Sequence, residues 1–400
     1  MAVSLKDPQS LEPAAPTDLK SRAQAAADIA SRHAAAVDSA GRFPGEAFEA
    51  IKAQRLLGIM LPAALGGEDA GISDVSDVCY RLGQACSSTA MTYAMHQIKT
   101  ACLMRHRGAS AALERLLRRL ASEQLLLASS TTEGSSGGNI RSSEAAIEPH
   151  DGHITLERRA SVISYGAYAD GIVTTARRAA DADPSDQVLV AFLKSDYTLT
   201  RLQGWNTLGM RGTCSEGYTL KASGLADQIV PEPYASVHAQ TMVPTSHLLW
   251  GSVWAGIAAG AVGRAQAFIR HSVRQNQGQM PPGATQFSHA LAALRTLRGL
   301  LSGALQGYER HMHDPRALAS LEFQSMITLT KVQASELAVA TVMAALRTCG
   351  LSGYRSDGEF SVERQLRDVL SSPLMINNER ILSNLTATAL MSALPTSVRD

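Results

Sequence analysis

Cysteine is scarce in this 400-residue sequence, and its spacing favours neither a disulfide framework nor a zinc site. The five cysteines are odd in number, and they form no CxxC pair and no Cys/His ligand spacing. Such a pattern is typical of a reduced compartment. We therefore expect small buried apolar side chains at these positions and no metal site.

An excess of charge of one sign and long apolar runs are also missing. The formal net charge is +1, with both signs scattered along the chain, so no electrostatic footprint for nucleic acid is visible. The N-terminus has no apolar signal region, and no run of about 18 apolar residues occurs. These absences predict a soluble cytoplasmic protein with no nucleic-acid or membrane partner.

No GxGxxG run links a strand to a helix, which argues against a Rossmann nucleotide site. What is present is a helical pattern on both sides of a strand-rich centre, where residues 171–176 (GIVTTA) and 188–193 (VLVAFL) are typical of strands. Helices, then strands, then helices favour segregated layers over an alternating α/β sheet. We predict a mainly α protein with a central β-domain. Its regions would be a disordered tail (1–16), an N-terminal helical domain (17–123), a middle β-domain (124–240) and a C-terminal helical bundle (241–400).

Three short runs in the centre carry the candidate site: SSTTEGSSGGN at 129–139, VISYG at 162–166 and LGMRGT at 208–213. Their order and spacing resemble the acyl-CoA dehydrogenase superfamily, with its TExxxG loop, WITxG strand and LGMRGT run before a last strand. The similarity extends from about Phe43 to about Met391. It implies a middle β-barrel-like domain, a C-terminal four-helix bundle, a homotetramer and bound FAD.

The first run suits a flavin ring or a phosphate, because its glycines free the backbone and its hydroxyls both donate and accept hydrogen bonds. In the resembled family the residue matched by Thr132 hydrogen-bonds the flavin, and the one matched by Ser164 also contacts it. Val162 replaces the usual Trp. The flavin-contacting residues implied by the resemblance are Ser130, Thr131, Thr132, Gly137, Val162 and Ser164.

The resemblance places the flavin pyrophosphate against a neighbouring subunit. Gln279 stands where the family carries an Arg, so one cationic donor is missing. Arg274 is either solvated or a substitute for it. Gly350 matches the first glycine of a family Gly-Gly-x-Gly near that dinucleotide, but Leu351 replaces the second.

The catalytic positions depart most from the family. Ile376 stands where the usual proton-accepting Glu is expected, nine residues after Arg367, and Val253 stands where a second subset places its base. Glu379 is the nearest carboxylate, and it is either a helix-cap or salt-bridge residue or a displaced base. The residues implied at substrate positions are Gly138, Trp254 and Asn377. The Arg367-Asp368 pair predicts a structural ion pair.

His96 lies in a largely apolar helical run and has two interpretations. It is either a hydrogen-bonded core histidine or a proton donor or acceptor near the flavin.

Four functions remain open. The leading hypothesis is an FAD-dependent oxidoreductase that oxidises an acyl thioester or related substrate, with an electron-transfer flavoprotein as a candidate partner. The alternative is a monooxygenase of the same fold, for which FMN would also serve, a separate flavin reductase would supply electrons and no α-proton base is needed. A lyase or isomerase using flavin structurally, and a non-catalytic homologue, are the other two.

Overall fold

The computed structural model describes residues 18–133, 142–390 and 397. Within 18–133 the chain is helical up to a single strand. The helices are α1 (Leu19–Ala40), α2 (Gly45–Ala53), α3 (Ile72–Ala85), α4 (Ser87–His106) and α5 (Ala111–Glu123). Asp18 caps α1, since its Oδ1 accepts a hydrogen bond of 2.9 Å from the Ser21 amide. The predicted tail lies outside the described residues.

The described part of the middle region forms two sheets. Its strands are β1 (Leu127–Ser130), β2 (Glu148–His150), β3 (His153–Ile163), β4 (Gly171–Arg177), β5 (Gln187–Leu193), β6 (Tyr197–Gln203) and β7 (Glu216–Leu225). One sheet has the order β1-β4-β5, with β1 and β4 parallel, and the other is antiparallel in the order β2-β3-β7-β6. Both predicted strands exist, and residues 187–192 of β5 are buried throughout, as the apolar run predicts.

The chain is helical again after the sheets. The helices are α6 (Tyr234–Val237), α7 (Val243–Gln275), α8 (Ala284–His311), α9 (Pro315–Ala319), α10 (Leu321–Cys349), α11 (Leu351–Tyr354), α12 (Glu363–Val369) and α13 (Asn378–Ala389), with a π-helical turn at His238–Met242 joining α6 to α7. α7, α8 and α10 pack on one another, and α7 also packs on α3. By length and composition α10 could span a membrane, yet half of that apolar segment is buried against its neighbours.

This order of layers confirms the predicted fold class: helices, then a central β-region, then helices. The core is continuous across all three regions, since buried side chains from α3, α4, β4, β5, α7 and α10 form one cluster. All five cysteines are buried, as expected for small apolar side chains. The cavity described next lies where the three regions meet.

Candidate functional site

A cavity of about 1000 Å³ opens between the regions. It is bounded by one face of α4, the ends of β1 and β3, residues 205–215, the start of α7 and residues 367–380. The lining is mainly apolar, with hydroxyls along the sheet edge. Its side chains include Met91, Met95, Ile98, Lys99, Ser129, Thr131, Thr132, Val162, Ser164, Trp205, Met242, His247, Trp250, Arg367, Ile376, Asn377 and Arg380.

Strand geometry decides which hydroxyls at the end of β1 reach this cavity. Successive side chains of a strand point to opposite faces, so Ser129 and Thr131 line the cavity with Thr132 just beyond them, whereas Ser130 does not. Ser130 is fully buried, and its Oγ has no hydrogen-bond partner. The structure thus brings Thr131 and Thr132 to the cavity as implied, and corrects the position expected for Ser130.

Ser164 lies at the cavity edge, where β3 ends. Its Oγ is 2.8 Å from that of Ser215, which is 2.8 Å from Thr213 Oγ1, and Thr213 in turn donates to the Met210 carbonyl at 2.8 Å. Because the Thr213 proton is committed to that carbonyl, Ser215 donates to Thr213 and Ser164 donates to Ser215. Ser164 is thereby left as a hydrogen-bond acceptor for a group in the cavity.

The LGMRGT run joins the three regions beside the cavity. A Cβ on Gly209 would lie 2.2 Å from the Arg367 carbonyl, so only glycine allows this approach to α12. The Met210 amide donates to Asp368 Oδ1 at 2.6 Å. Arg367 pairs with Asp38 and Glu363. Arg367 and Asp368 both make structural contacts, but the predicted ion pair between them is wrong: Arg367 binds Asp38 and Glu363, and Asp368 accepts from the Met210 amide.

Charge in the cavity is of one sign. The described lining contains no Asp or Glu, and its cations are Lys99, Arg367 and Arg380. Arg367 is bound to two carboxylates, which hold its pKa above the usual range. Arg380 is exposed in the first turn of α13. Lys99 is different because it is only 4% exposed and burial lowers its pKa to about 8.

His247 at the start of α7 also lines the cavity. Its Nδ1 lies 3.2 Å from the Ile327 carbonyl, which can only accept, so Nδ1 carries the proton and Nε2 is an acceptor. Burial lowers the pKa of His247 to about 3, so the ring is neutral at pH 7.

The segment that bears the expected base position is held by a buried lysine. Lys331 of α10 donates to the Ser372 and Ile376 carbonyls at 3.1 Å each and to Asn378 Oδ1 at 2.7 Å. Ile376 has φ +49°, an uncommon conformation for a β-branched residue. Ile376 and Asn377 line the cavity. Ile376, which the resemblance matches to the base position, therefore faces the cavity, and its side chain has no proton-accepting group.

His96 is not at the cavity. It is fully buried, its Nε2 donates to the Leu57 carbonyl at 2.9 Å, and its Nδ1 accepts from the Leu127 amide at 3.0 Å. Burial lowers its pKa to about 4. Both ring nitrogens of His96 hydrogen-bond to backbone groups outside α4, at Leu57 and Leu127. This fits the core-histidine interpretation and corrects the idea of a proton-transfer role at the flavin.

Two further candidates lie away from the cavity lining. Trp254, expected at the substrate, is fully buried with its Nε1 unpaired, and the Lys331 ammonium lies 5.6 Å from its ring centroid. Trp250, one helical turn earlier, lines the cavity instead. Glu379 is exposed in the first turn of α13 and is not part of the lining. Trp254 is thus not at the substrate position expected for it, and Glu379 fits the helix-cap or salt-bridge interpretation and not that of a displaced base.

The residues expected at a neighbouring flavin lie at one end of the C-terminal helices. Arg274 is exposed in the last turn of α7, and Gln279 is exposed in the turn that follows. That turn passes the end of α10, where Gly350 has φ +56°. None of the three lines the cavity. Gly137 and Gly138 lie outside the described residues.

Four residues at or next to the cavity are not among those predicted from the sequence: Lys99, His247, Trp250 and Lys331. The available signal for Lys99 was a lone cation inside a run of apolar and small residues, since a lysine is seldom buried without a partner. His247, Trp250 and Lys331 carried no such signal, because each fits an ordinary core or surface position of its helical pattern.

The N-terminal and C-terminal helical regions each match a known protein family. Residues 19–124 match the family described as the N-terminal domain of acyl-CoA dehydrogenase, and residues 239–390 match its C-terminal domain. Cyclohex-1-ene-1-carbonyl-CoA dehydrogenase of Geobacter metallireducens is 26% identical over 360 residues, which cover 87% of this chain and 90% of the relative.

Solved structures with this fold include FMN-bound TdsC from Paenibacillus sp. A11-2, a dibenzothiophene monooxygenase. It has a TM-score of 0.81 and 18% identity, and the match covers 94% of this chain and 98% of TdsC. Methanesulfinate monooxygenase MsuC from Pseudomonas fluorescens has a TM-score of 0.80 and 18% identity, with 95% and 98% covered.

Proposed function

Because the chain belongs to the acyl-CoA dehydrogenase superfamily, we propose that it is a monooxygenase of this fold that uses externally reduced flavin. The observation that carries the proposal is the cavity lining, whose described part has no carboxylate. A monooxygenase needs no base for an α-proton, whereas a dehydrogenase does.

The chemistry of the cavity fits a flavin. Thr131, Thr132 and Ser164 present hydroxyls along one edge, and Ser164 is left as an acceptor suited to a ring N–H. When bound, reduced flavin supplies two electrons to O₂, so that one oxygen atom enters the substrate and the other leaves as water.

The chain's own residues would hold the ligands and exclude water. Met91, Met95 and Trp250 cover the cavity with apolar surface, which limits side reactions of reactive intermediates with water. Lys331 fixes the segment around Ile376 as a wall. Each of these roles is positional, and none requires a proton acceptor.

The other lining residues do not replace the missing base. His247 has an acceptor nitrogen in the cavity, but with a pKa of about 3 it is a poor acceptor for an α-proton. Lys99 has a pKa of about 8 and is mostly protonated at pH 7. A positioned base is worth roughly 10²- to 10⁴-fold in rate, so α,β-dehydrogenation would be slow here.

Two comparisons bear on this choice in opposite directions. The structures of TdsC and MsuC support a monooxygenase. The Geobacter relative is named a dehydrogenase, and its 26% identity keeps oxidation of an acyl thioester as the second candidate.

We further propose FMN as the flavin. The residues expected at a dinucleotide pyrophosphate are the neutral Gln279 and the exposed Arg274, so no buried cationic site for it is evident among the described residues. TdsC binds FMN. A separate NADH-dependent flavin reductase would be the partner, and we expect a soluble cytoplasmic homotetramer.

The test is to separate oxygen chemistry from dehydrogenation. Purified protein is supplied with FMN, NADH and a flavin reductase, and substrate-dependent oxygen incorporation is measured by mass spectrometry with ¹⁸O₂, using reductase alone as the control. We expect ¹⁸O in a product. Anaerobic bleaching of the bound flavin by an acyl-CoA panel, without ¹⁸O incorporation, would support the dehydrogenase instead.

A further inference from the structure

Lys99 is a buried cation in the cavity that the proposed reaction does not explain. It lies on α4, one turn after Met95, and both side chains face the cavity. Only 4% of Lys99 is exposed. An ammonium group removed from water is costly unless an oppositely charged or strongly hydrogen-bonding group is nearby.

The described surroundings of Lys99 contain no such anion. Its Nζ contacts the Met242 thioether at 3.2 Å, and a thioether is a weak acceptor. Cys102 on the same helix is the titratable neighbour that acts on it, and Tyr234 lies 3.5 Å from the Met242 sulfur through its hydroxyl. Burial raises the pKa of both groups, so both are neutral at pH 7. His247 across the cavity is neutral as well.

The other cations of the described lining differ in position and pairing. Arg367 Nη1 lies 3.0 Å from Asp38 Oδ1, and its Nε lies 3.0 Å from Glu363 Oε1. Arg380 is exposed in the first turn of α13. Lys99 is therefore the buried cation that faces the cavity without a carboxylate.

We propose that Lys99 binds the negatively charged group of the substrate, a carboxylate, sulfinate or sulfonate carried on a small apolar molecule. This deepens the proposed function and rests on it. The shared chemistry is one oxyanion that accepts hydrogen bonds from the ammonium group. The substrate's negative charge would pair with the positive charge of Lys99, for which the described cavity lining offers no carboxylate.

The rest of the same wall suits the apolar body of such a molecule. Met91 and Met95 line the cavity from the same helix as the lysine, Met242 contacts its Nζ, and Trp250 of α7 also lines the cavity. Methionine side chains are flexible and polarisable, and they contact aromatic rings favourably. The substrate class is thus a compact aromatic or aliphatic acid with a single charge.

The binding test compares an acid with its neutral isostere. The affinities of benzoate, benzenesulfinate and benzamide are measured by calorimetry on FMN-saturated protein, for the wild type, Lys99→Met, Lys99→Arg and the exposed control Lys221→Met. We expect the two anions to bind the wild type and Lys221→Met at least 10-fold more tightly than benzamide. Lys99→Met should lose that preference while its FMN dissociation constant stays within about 3-fold, and Lys99→Arg should keep part of it.

The pH dependence gives a second readout. The pKa of Lys99 is about 8, and only the protonated form attracts an anion, so anion binding to the wild type should weaken as pH rises above about 8. Lys99→Arg stays charged and should keep its anion affinity to pH 10. Benzamide binding should not change in either protein.

Two outcomes would overturn the inference. One is an unchanged anion preference in Lys99→Met, and the other is a loss of FMN affinity in that variant without a loss of anion preference, which would assign Lys99 to the flavin. If the wild type binds no flavin but still prefers the anions through Lys99, the monooxygenase proposal fails. Lys99 is then an anion-binding residue, but the anion is not the substrate of that reaction.

Discussion

At the scale of single residues, the position of a residue within its strand decides whether its hydroxyl lines the cavity. Ser129 and Thr131 face it while Ser130, between them, is buried on the other side of β1. Ser164 donates its proton to Ser215, which donates to Thr213, so the Ser164 oxygen is left as an acceptor at the cavity. The sheet edge is thus a preorganised polar edge on a mainly apolar cavity.

We predict that Thr132→Val and Ser164→Ala weaken FMN binding. Each removes a hydroxyl worth roughly 0.5–1.5 kcal/mol, so each dissociation constant should rise roughly 2- to 10-fold. Fluorescence titration with FMN measures the effect. Thr200→Val, on exposed strand β6, is the matched control and should not change it. A double variant that binds FMN as the wild type does would remove these hydroxyls from the site.

At the scale of elements, α10 fixes the wall formed by the segment before α13. Lys331 is fully buried and donates to three acceptors in residues 372–378. Burial lowers the pKa of its ammonium group to about 8, a cost that these hydrogen bonds offset. They also hold Ile376 at φ +49°, a conformation that persists only when its surroundings impose it.

We predict that Lys331→Met destabilises the protein by about 2–4 kcal/mol, because two carbonyls and an amide oxygen lose their charged donor in the interior. The free energy of unfolding in urea measures the loss, and limited proteolysis should show faster cleavage near Ile376. Lys221→Met removes an exposed ion pair with Glu157 and should cost less than about 1 kcal/mol. Equal losses in the two variants would contradict the role given to Lys331.

At the scale of the whole molecule, the cavity depends on a junction between the N-terminal helices, the sheets and α12. Arg367 of α12 binds Asp38 of α1 and the Leu208 carbonyl, the latter at 2.8 Å. The Arg211 Nε donates to the Asp38 carbonyl at 2.7 Å. The LGMRGT run thus connects α1 and α12 beside the cavity.

We predict that Asp38→Asn loosens this junction. The Arg367 guanidinium loses a charged two-point partner, which should lower the free energy of unfolding by about 1–3 kcal/mol. Thermal unfolding and urea titration measure the change. Asp28→Asn, which alters an exposed aspartate of the same helix, is the control and should cost less than about 0.5 kcal/mol. Matching stability of the two variants would show that the junction does not depend on this pair.

The sequence by itself determined the order of the layers and the strands at 171–176 and 188–193, and its resemblance to the family pointed to Ile376 as a position without a carboxylate. These follow from local periodicity and from motifs read residue by residue.

Only the tertiary structure decided which side of each element faces the cavity. Almost every side of α4 is apolar or small and buried, so its pattern could not show that Met91, Met95 and Lys99 share the cavity face while His96, one residue (about 100°) round the helix from Met95, does not. Trp250 and Trp254 lie one turn apart on nearly the same side of α7, and only the tertiary structure decided that Trp250 is the one that lines the cavity. The physical reason is that burial on all sides removes the contrast between polar and apolar faces, and the orientation is then fixed by contacts with residues distant in the chain.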